Sequence, residues 1–255
     1  MNSKFDITGK VAIITGGNGG LGLGMAKGLA LAGAKVAICG RNQDKIDRSL
    51  AELKAQGADA IGISCDVGSE EQVNAMVART KAHFGRIDIL INNAAISWGV
   101  PTEDMTLEQW NHFITNNLTS MFLTCKACFP HMVEVGGGKI INVSSIVTKL
   151  GYGKLSHYGA AKGGMDHMTQ SLARAWGKDN IQVNALLPGL VDTEMMPCEG
   201  PNKNKLVDYI VKKTPTGTYS TPEDWYGLTV LMASPASDFI TGSIIVMDGG
   251  LSMTL

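Results

Sequence analysis

Surplus charge of one sign is almost absent from this sequence. Its 22 basic and 23 acidic residues leave a formal net charge of −1, so no strong field points to nucleic acid or to an anionic membrane as a partner. No run of about 18 apolar residues occurs, which excludes a membrane-spanning helix. The stretch Met1-Asn2-Ser3-Lys4-Phe5-Asp6 lacks the apolar segment of a secretory signal. Cysteine is sparse: the 5 residues are an odd number scattered through predicted strands and helices, which fits a reducing cytoplasm rather than a disulfide framework. Cys125 and Cys128 match C-x-x-C, but they fall inside a long helical stretch with no second Cys/His pair at zinc spacing. They read as buried thiols, and no metal site is expected. Pro/Ser-rich linkers, internal repeats and low-complexity tracts are missing as well, so residues 1–255 read as one domain.

Glycine, by contrast, is plentiful at 31 residues, and much of it stands where a short apolar run gives way to helical periodicity. Strands are predicted at Val11–Thr15, Lys35–Cys39, Ala60–Cys65, Ile87–Asn92, Lys139–Val143, Gln182–Leu187 and Ile244–Met247. Helices are predicted at Leu21–Ala32, Asn42–Gln56, Glu70–Phe84, Thr106–Glu134, His157–Lys178 and Pro222–Ser234. The strands are nearly continuous Val/Ile/Ala/Leu runs, the mark of burial on both faces. Strand–helix alternation of this kind predicts an α/β fold, a Rossmann-like doubly wound parallel sheet of about seven strands with helices on both faces. Residues 188–221 are the least regular, with one short helical piece at Lys203–Lys213. A long insertion after a strand's carboxyl end is where such sheets take ligands, so this segment is a candidate substrate lid.

Two local patterns carry chemistry. The turn Thr15-Gly16-Gly17-Asn18-Gly19-Gly20-Leu21-Gly22 joins the first strand to the first helix, where glycines let the backbone approach a pyrophosphate at the helix N-terminus. The next strand ends Gly40-Arg41-Asn42. An NAD-specific site places a carboxylate there for the ribose 2′-hydroxyl. Here a glycine and an arginine leave room and positive charge for a 2′-phosphate, so NADP(H) is favoured and NAD(H) stays open. The second pattern is Tyr158-Gly159-Ala160-Ala161-Lys162. Four residues apart on a helix, the phenol and the ammonium share one face. A neighbouring ammonium is expected to lower a phenol pKa from its usual value near 10 toward the range of acid–base catalysis. By chance alone a Tyr/Lys pair at this spacing arises about once in three shuffled chains of this composition, so its meaning comes from its company: Ser144-Ser145 upstream and the glycine turn before them.

Taken together, these residues resemble the short-chain dehydrogenase/reductase family, in its branch of roughly 250 residues, over nearly the whole chain. The likeness extends to Asp66-Val67, to Asn92-Asn93-Ala94-Ala95, to Asn117, to Ser145 thirteen residues before Tyr158, and to Pro188-Gly189 with Thr193 beyond. The resemblance implies Tyr158 as acid/base, Ser145 as the group that polarises the substrate oxygen, and Lys162 as tuner of the phenol and holder of the nicotinamide ribose. Asn117 would anchor a water in a proton relay, and Asn92 would stabilise the central sheet. Cofactor contacts are implied for Gly16, Asn18, Gly20, Leu21, Gly22, Arg41, Asn42, Asp66, Val67, Asn93, Ala94, Tyr158, Lys162, Pro188, Gly189, Val191 and Thr193. Substrate contacts are expected at Ser145, Val147, Tyr152, Tyr158 and Met195. Ser144 competes with Ser145 and Asn116 with Asn117; the family spacing favours the second of each pair. His157 reads as peripheral, because adjacent helix positions do not face each other.

The family departures are small. Ala95 stands where glycine is usual, and the segment Thr216–Ser220 lacks a frequent arginine. Glu134 and Asp179 fall near the positions where reductases of carrier-bound acyl groups are basic. The expected function is therefore interconversion of a secondary alcohol and a ketone with NADP(H) by a cytoplasmic enzyme, a homodimer or homotetramer by family likeness, whose partner is a small carbonyl or alcohol substrate. A 3-oxoacyl thioester reductase is the alternative within enzymes. A catalytically silent NADP-binding regulatory or scaffold protein of the same fold is the alternative outside them, and it would bind NADPH yet oxidise it with no carbonyl.

Overall fold

The computed structural model describes residues 3–253. Seven strands join in one sheet: β1 (Val11–Thr15), β2 (Lys35–Gly40), β3 (Ala60–Ser64), β4 (Ile89–Asn92), β5 (Gly138–Val143), β6 (Ile181–Pro188) and β7 (Ile244–Met247). All pairings are parallel and the order is β3-β2-β1-β4-β5-β6-β7. The order reverses between β1 and β4, where doubly wound sheets open a crevice at the carboxyl edge. Every predicted strand is present, with ends moved by two residues at most.

Alternate residues of β1 supply opposite cores. Ala12 and Ile14 pack with Val36, Ile38 and the helices α1 (Gly20–Leu31) and α8 (Tyr226–Ala233), around Met25, Leu29 and Trp225. Ile13 packs with Ala37, Ile63 and Leu90 on the other face. There α3 (Glu70–Phe84), α5 (Ser120–Glu134) and α6 (Ser156–Trp176) contribute Met76, Cys125, Cys128 and Met165. Burial of both faces is why the strands read as unbroken apolar runs. Cys125 and Cys128 lie wholly inside, and burial pushes both thiols above their ordinary range.

Local chemistry sets the helix ends. The Asn42 side chain accepts from the Lys45 amide at 2.9 Å and starts α2 (Gln43–Ala55). Ser69 caps α3, which ends at Gly85 in the left-handed region. Thr106 and Gln109 form a capping box for α4 (Leu107–Ile114). The single helix predicted over 106–134 is in fact broken. A π turn at Thr115–Thr119 separates α4 from α5, because the Asn117 side chain donates to the Phe113 carbonyl at 3.0 Å and accepts from the Ile96 amide at 3.1 Å. Such a bulge leaves no trace in hydrophobic periodicity and recurs at functional sites.

Between sheet and helices lies a polar knot in an otherwise apolar interior. Asn92 on β4 donates to Asn142 on β5 at 2.9 Å, Asn142 donates to Thr169 on α6 at 2.8 Å, and Thr124 on α5 donates to Asn92 at 2.6 Å. All four residues are buried, and within this group each amide and hydroxyl finds a partner, as buried polar groups must. The short helical piece predicted at Lys203–Lys213 is confined to α7 (Val207–Lys213).

Candidate active site

A cleft of about 1040 Å³ opens along the carboxyl edge of the sheet. Its floor begins at Thr15, whose hydroxyl accepts from the Asn93 and Ala94 amides at 2.9 and 3.1 Å. Asn93 returns its side-chain amide to the Thr15 and Gly16 carbonyls. This lattice holds the ends of β1 and β4 together. At Gly16, φ is +64°, and an added Cβ would stand 2.8 Å from the Asn93 amide nitrogen, so neither the conformation nor the space admits a side chain. The N-terminus of α1 has no side-chain cap: Gly19 precedes it and supplies none. The first amides of the helix therefore meet the cleft with their donors uncovered by side chains, which is the chemistry that receives a pyrophosphate.

Most residues expected at a cofactor line this cleft: Gly16, Asn18, Gly20, Leu21, Arg41, Asn42, Asp66, Val67, Asn93, Ala94, Pro188, Gly189, Val191 and Thr193. Gly22 does not. It packs under the turn, where a Cβ would strike the Gly16 carbonyl oxygen, so it supports the loop without lining the cleft. One carboxylate oxygen of Asp66 is occupied by the Gly68 amide at 2.9 Å. At the end of β2, a Cβ on Gly40 would come within 2.6 Å of the Asn18 side chain. That place carries no carboxylate, and Arg41 follows it.

Toward the middle of the cleft stand Ser144, Ser145, Tyr158 and Lys162. The two serines extend beyond β5, and they separate in role by direction: Ser144 turns its hydroxyl to the Lys162 carbonyl of α6 at 3.4 Å, whereas Ser145 lies beside the Tyr158 phenol. Tyr158 and Lys162 share one face of α6, as their spacing predicts, and the lysine nitrogen lies 5.6 Å from the phenol ring centre.

The expectation that this ammonium lowers the phenol pKa is not met. Burial pushes Tyr158 up to about 12, and only the Ser145 hydroxyl opposes it. The lysine is directed elsewhere: its ammonium donates to the Val143 carbonyl at 2.7 Å. Burial brings Lys162 down to about 8, against the pull of Asp166. In this packing desolvation outweighs the Ser145 hydrogen bond at Tyr158 and the Asp166 charge at Lys162.

Asn117 is also displaced from expectation. It is completely buried and does not face the cleft, where Asn116 appears instead. What Asn117 holds is the segment after β4, through Ile96, and the π turn. His157 is likewise buried and turned away from the phenol. One ring nitrogen meets the Trp98 carbonyl at 3.1 Å, and the ring packs against Phe113 at a tilt of 47° with centroids 3.9 Å apart. Burial lowers its pKa.

The far end of the cleft carries Val147, Tyr152 and Met195, as expected for substrate contacts, together with Trp98, Lys154, Asn204 and Leu206. Lys154 has no ion partner among the described residues, and its stem lies against Gly99, where a Cβ would stand 3.4 Å from the Lys154 Cβ. Sequence reasoning passed over Lys45 and Glu194, which also line the cleft and pair with each other. Lys45, four residues past Arg41, was open to notice; Glu194 is 149 residues from it, and only the fold joins them.

A parallel sheet with this order, an uncapped glycine turn at its crevice, and a serine, tyrosine and lysine converging beside it define a dinucleotide-dependent oxidoreductase. The chain belongs to the short-chain dehydrogenase/reductase family. A family model described as enoyl-(acyl carrier protein) reductase matches residues 16–252. A 2-dehydro-3-deoxy-D-gluconate 5-dehydrogenase of Formosa agariphila is 39% identical over 252 residues, covering 98% of this chain and 96% of the relative. A 3-oxoacyl-(acyl-carrier-protein) reductase of Chlamydia pneumoniae is 36% identical, covering 97% and 99%. The crystal structure of a gluconate 5-dehydrogenase from Burkholderia cenocepacia in complex with NADP and tartrate superimposes with a TM-score of 0.92 at 33% identity, covering 99% of each chain. The protein is an NAD(P)-dependent oxidoreductase that interconverts secondary alcohols and carbonyls. Among the described residues, no helix is long and apolar enough to cross a membrane.

Proposed function

We propose that this chain is an NADP(H)-preferring enzyme that interconverts a secondary hydroxyl and a ketone on a small polyhydroxylated carboxylic acid. The observation that carries the reading is one cleft with a carboxylate-free, arginine-bearing end at Gly40-Arg41, the Ser145–Tyr158–Lys162 group at its middle, and an unpartnered Lys154 at its far end. The sugar-acid names of the Formosa and Burkholderia relatives support the substrate class. Lys154 would meet the carboxylate, Ser97 and Asn204 the hydroxyls, and Trp98, Val147, Tyr152 and Met195 the carbon chain.

The residues would divide the work as follows. Gly16, Asn18, Gly20 and Leu21 would hold the pyrophosphate at α1, Arg41 and Asn42 the adenosine phosphate, and Asp66 and Val67 the adenine. Asn93, Ala94, Pro188, Gly189, Val191 and Thr193 confine the nicotinamide half. The bound cofactor supplies or accepts the hydride. Tyr158, protonated at neutral pH as any phenol is and more firmly so for its burial, would give its proton to the ketone oxygen in reduction. Ser145 donates to that oxygen and stabilises its developing charge. Lys162, whose ammonium rests on the Val143 carbonyl, would hold the ribose, and Asn117 would position Ile96 and the π turn beside the route by which the proton is replaced. Residues 188–221 act as a lid over a single catalytic domain. The exposed apolar residues Leu107 and Phe122 on α4 and α5 support a homo-oligomer, a dimer or tetramer; light scattering that finds a monomer at micromolar concentration would remove that part. The sparse, unpaired cysteines support a reducing, cytoplasmic setting.

The test is an NADP(H)-linked assay with gluconate and its keto acids beside a short 3-oxoacyl thioester. A kcat/KM for the sugar acids at least about tenfold above the thioester is expected, with KM raised about tenfold by Lys154→Met. Turnover of the thioester alone would sink the substrate reading.

A further inference from the structure

The first turn of α2 presents a cation that the chemistry above leaves unused. Lys45 lines the cleft with Gly40, Arg41 and Asn42, and the Asn42 cap holds its backbone amide at the positive end of the helix. Its ammonium pairs with Glu194, which belongs to the segment 188–221 on the opposite wall. Thr193, the residue before it, rests on the glycine turn: a Cβ on Gly20 would lie 3.3 Å from the Thr193 side chain. The pair thus ties the lid to the adenosine end of the cleft. Its side chains are 38% and 72% exposed, and an ion pair so open to water is weak and easily exchanged. A phosphate monoester, with a charge between about −1.5 and −2 at neutral pH, outcompetes one carboxylate for an ammonium.

We propose that Lys45 is a second cationic contact, beside Arg41, for the 2′-phosphate of NADP(H), and that Glu194 competes with that phosphate for it. The ribose of NAD(H) carries only a hydroxyl there and leaves the Lys45–Glu194 pair intact. NADP(H) takes the lysine and leaves Glu194 facing a charge of its own sign. Lys45 therefore widens the preference for NADP(H), and Glu194 narrows it. The proposal rests on the cofactor preference stated above, and it assigns the size of that preference to two residues.

Equilibrium titration of the purified full-length protein with NADPH and with NADH, read by nicotinamide fluorescence at low ionic strength, separates the possibilities. Lys45→Met is expected to weaken NADPH about tenfold and NADH less than about twofold, while Lys45→Arg retains the preference. Glu194→Gln is expected to tighten NADPH about threefold, and that gain should vanish in the K45M background, because the two residues act through one contact. Equal weakening of both cofactors by Lys45→Met, or a Glu194→Gln gain that persists in the K45M background, overturns the proposal. A wild-type protein that binds NADPH no more tightly than NADH overturns the cofactor preference itself. A clear wild-type preference indifferent to Lys45→Met leaves that preference standing and removes only the role of Lys45.

Discussion

Residues 11–22 and residues 188–221 face each other across one cleft, yet they are built on different terms. The first wall is a fully buried strand and a glycine turn, clamped to β4 by Thr15 and Asn93. The second has no strand of its own beyond the end of β6. It is held by single bridges at Val191–Ser220 and Thr193–Met196, and by a small core of Leu190, Cys198 and Val207. Met195, Leu206 and Tyr209 are each more than half exposed along it. Opening the first wall would disrupt the central sheet, whereas the second can rearrange at the cost of a few contacts. A rigid wall suits the part of a dinucleotide that is always the same. A loosely held one suits a substrate that must enter and leave.

That contrast is open to attack. The largest effect is expected at the proposed acid/base on α6, which belongs to neither wall: Tyr158→Phe should lower kcat about 10³-fold while leaving NADPH affinity within about threefold. Stopped-flow turnover beside cofactor titration checks it, and near-normal turnover would remove Tyr158 from the acid/base role.

Next is a pH dependence of stability. Lys162 falls from 10.5 in the unfolded chain to about 8 in the folded one, so between those values the unfolded state binds more protons and stability rises with pH. The gain available over that window is on the order of 3 kcal/mol. Tyr158, raised to about 12, works in the opposite sense, and its contribution is lost as pH climbs above 10. Buried thiols raised above their ordinary range, Cys125 and Cys128 among them, work against the rise in the same window. Urea unfolding at pH 7.5 and 9.5 should therefore show a more positive change of stability in the wild type than in Lys162→Met; an equal change in the two proteins would assign the effect elsewhere.

Third, Asn142→Ala strands the Asn92 and Thr169 partners inside the protein and should cost about 2–4 kcal/mol of global stability. The smallest effect is expected on segment 188–221. Val207→Ala should leave the global unfolding midpoint within error, raise KM a few-fold, and speed hydrogen exchange in 190–215. Equal losses of global stability from the two variants would erase the distinction between the walls.

The two walls also differ in how far the sequence disclosed them. Val11–Thr15, the glycine turn and the Ser145/Tyr158/Lys162 spacing were legible because strand burial, turn geometry and helical period each leave a short-range mark. The interruption at Thr115–Thr119 left none: a side-chain amide bound to Phe113 and Ile96 changes the backbone without changing the apolar pattern. The phenol pKa was misread for a related reason. Spacing reports that a tyrosine and a lysine are neighbours, but burial and the Val143 carbonyl decide which influence prevails, and those belong to the tertiary structure. Segment 188–221 was recognisable as irregular, yet its contact with Lys45 was not, because no local rule connects residues so far apart.

The buried knot of Asn92, Asn142, Thr124 and Thr169 has a consequence for alignment. β4 and β5 are joined opposite one another at Asn92 and Asn142. The chain leaves that level on one strand into Asn93, which grips the glycine turn, and on the other through Val143 into Ser144 and Ser145. A slip of one residue between the strands would exchange every inward and outward side chain, and would part the two amides. Four polar side chains therefore serve as a ruler, setting the glycine turn and the Ser144–Ser145 pair from a single mark inside the protein.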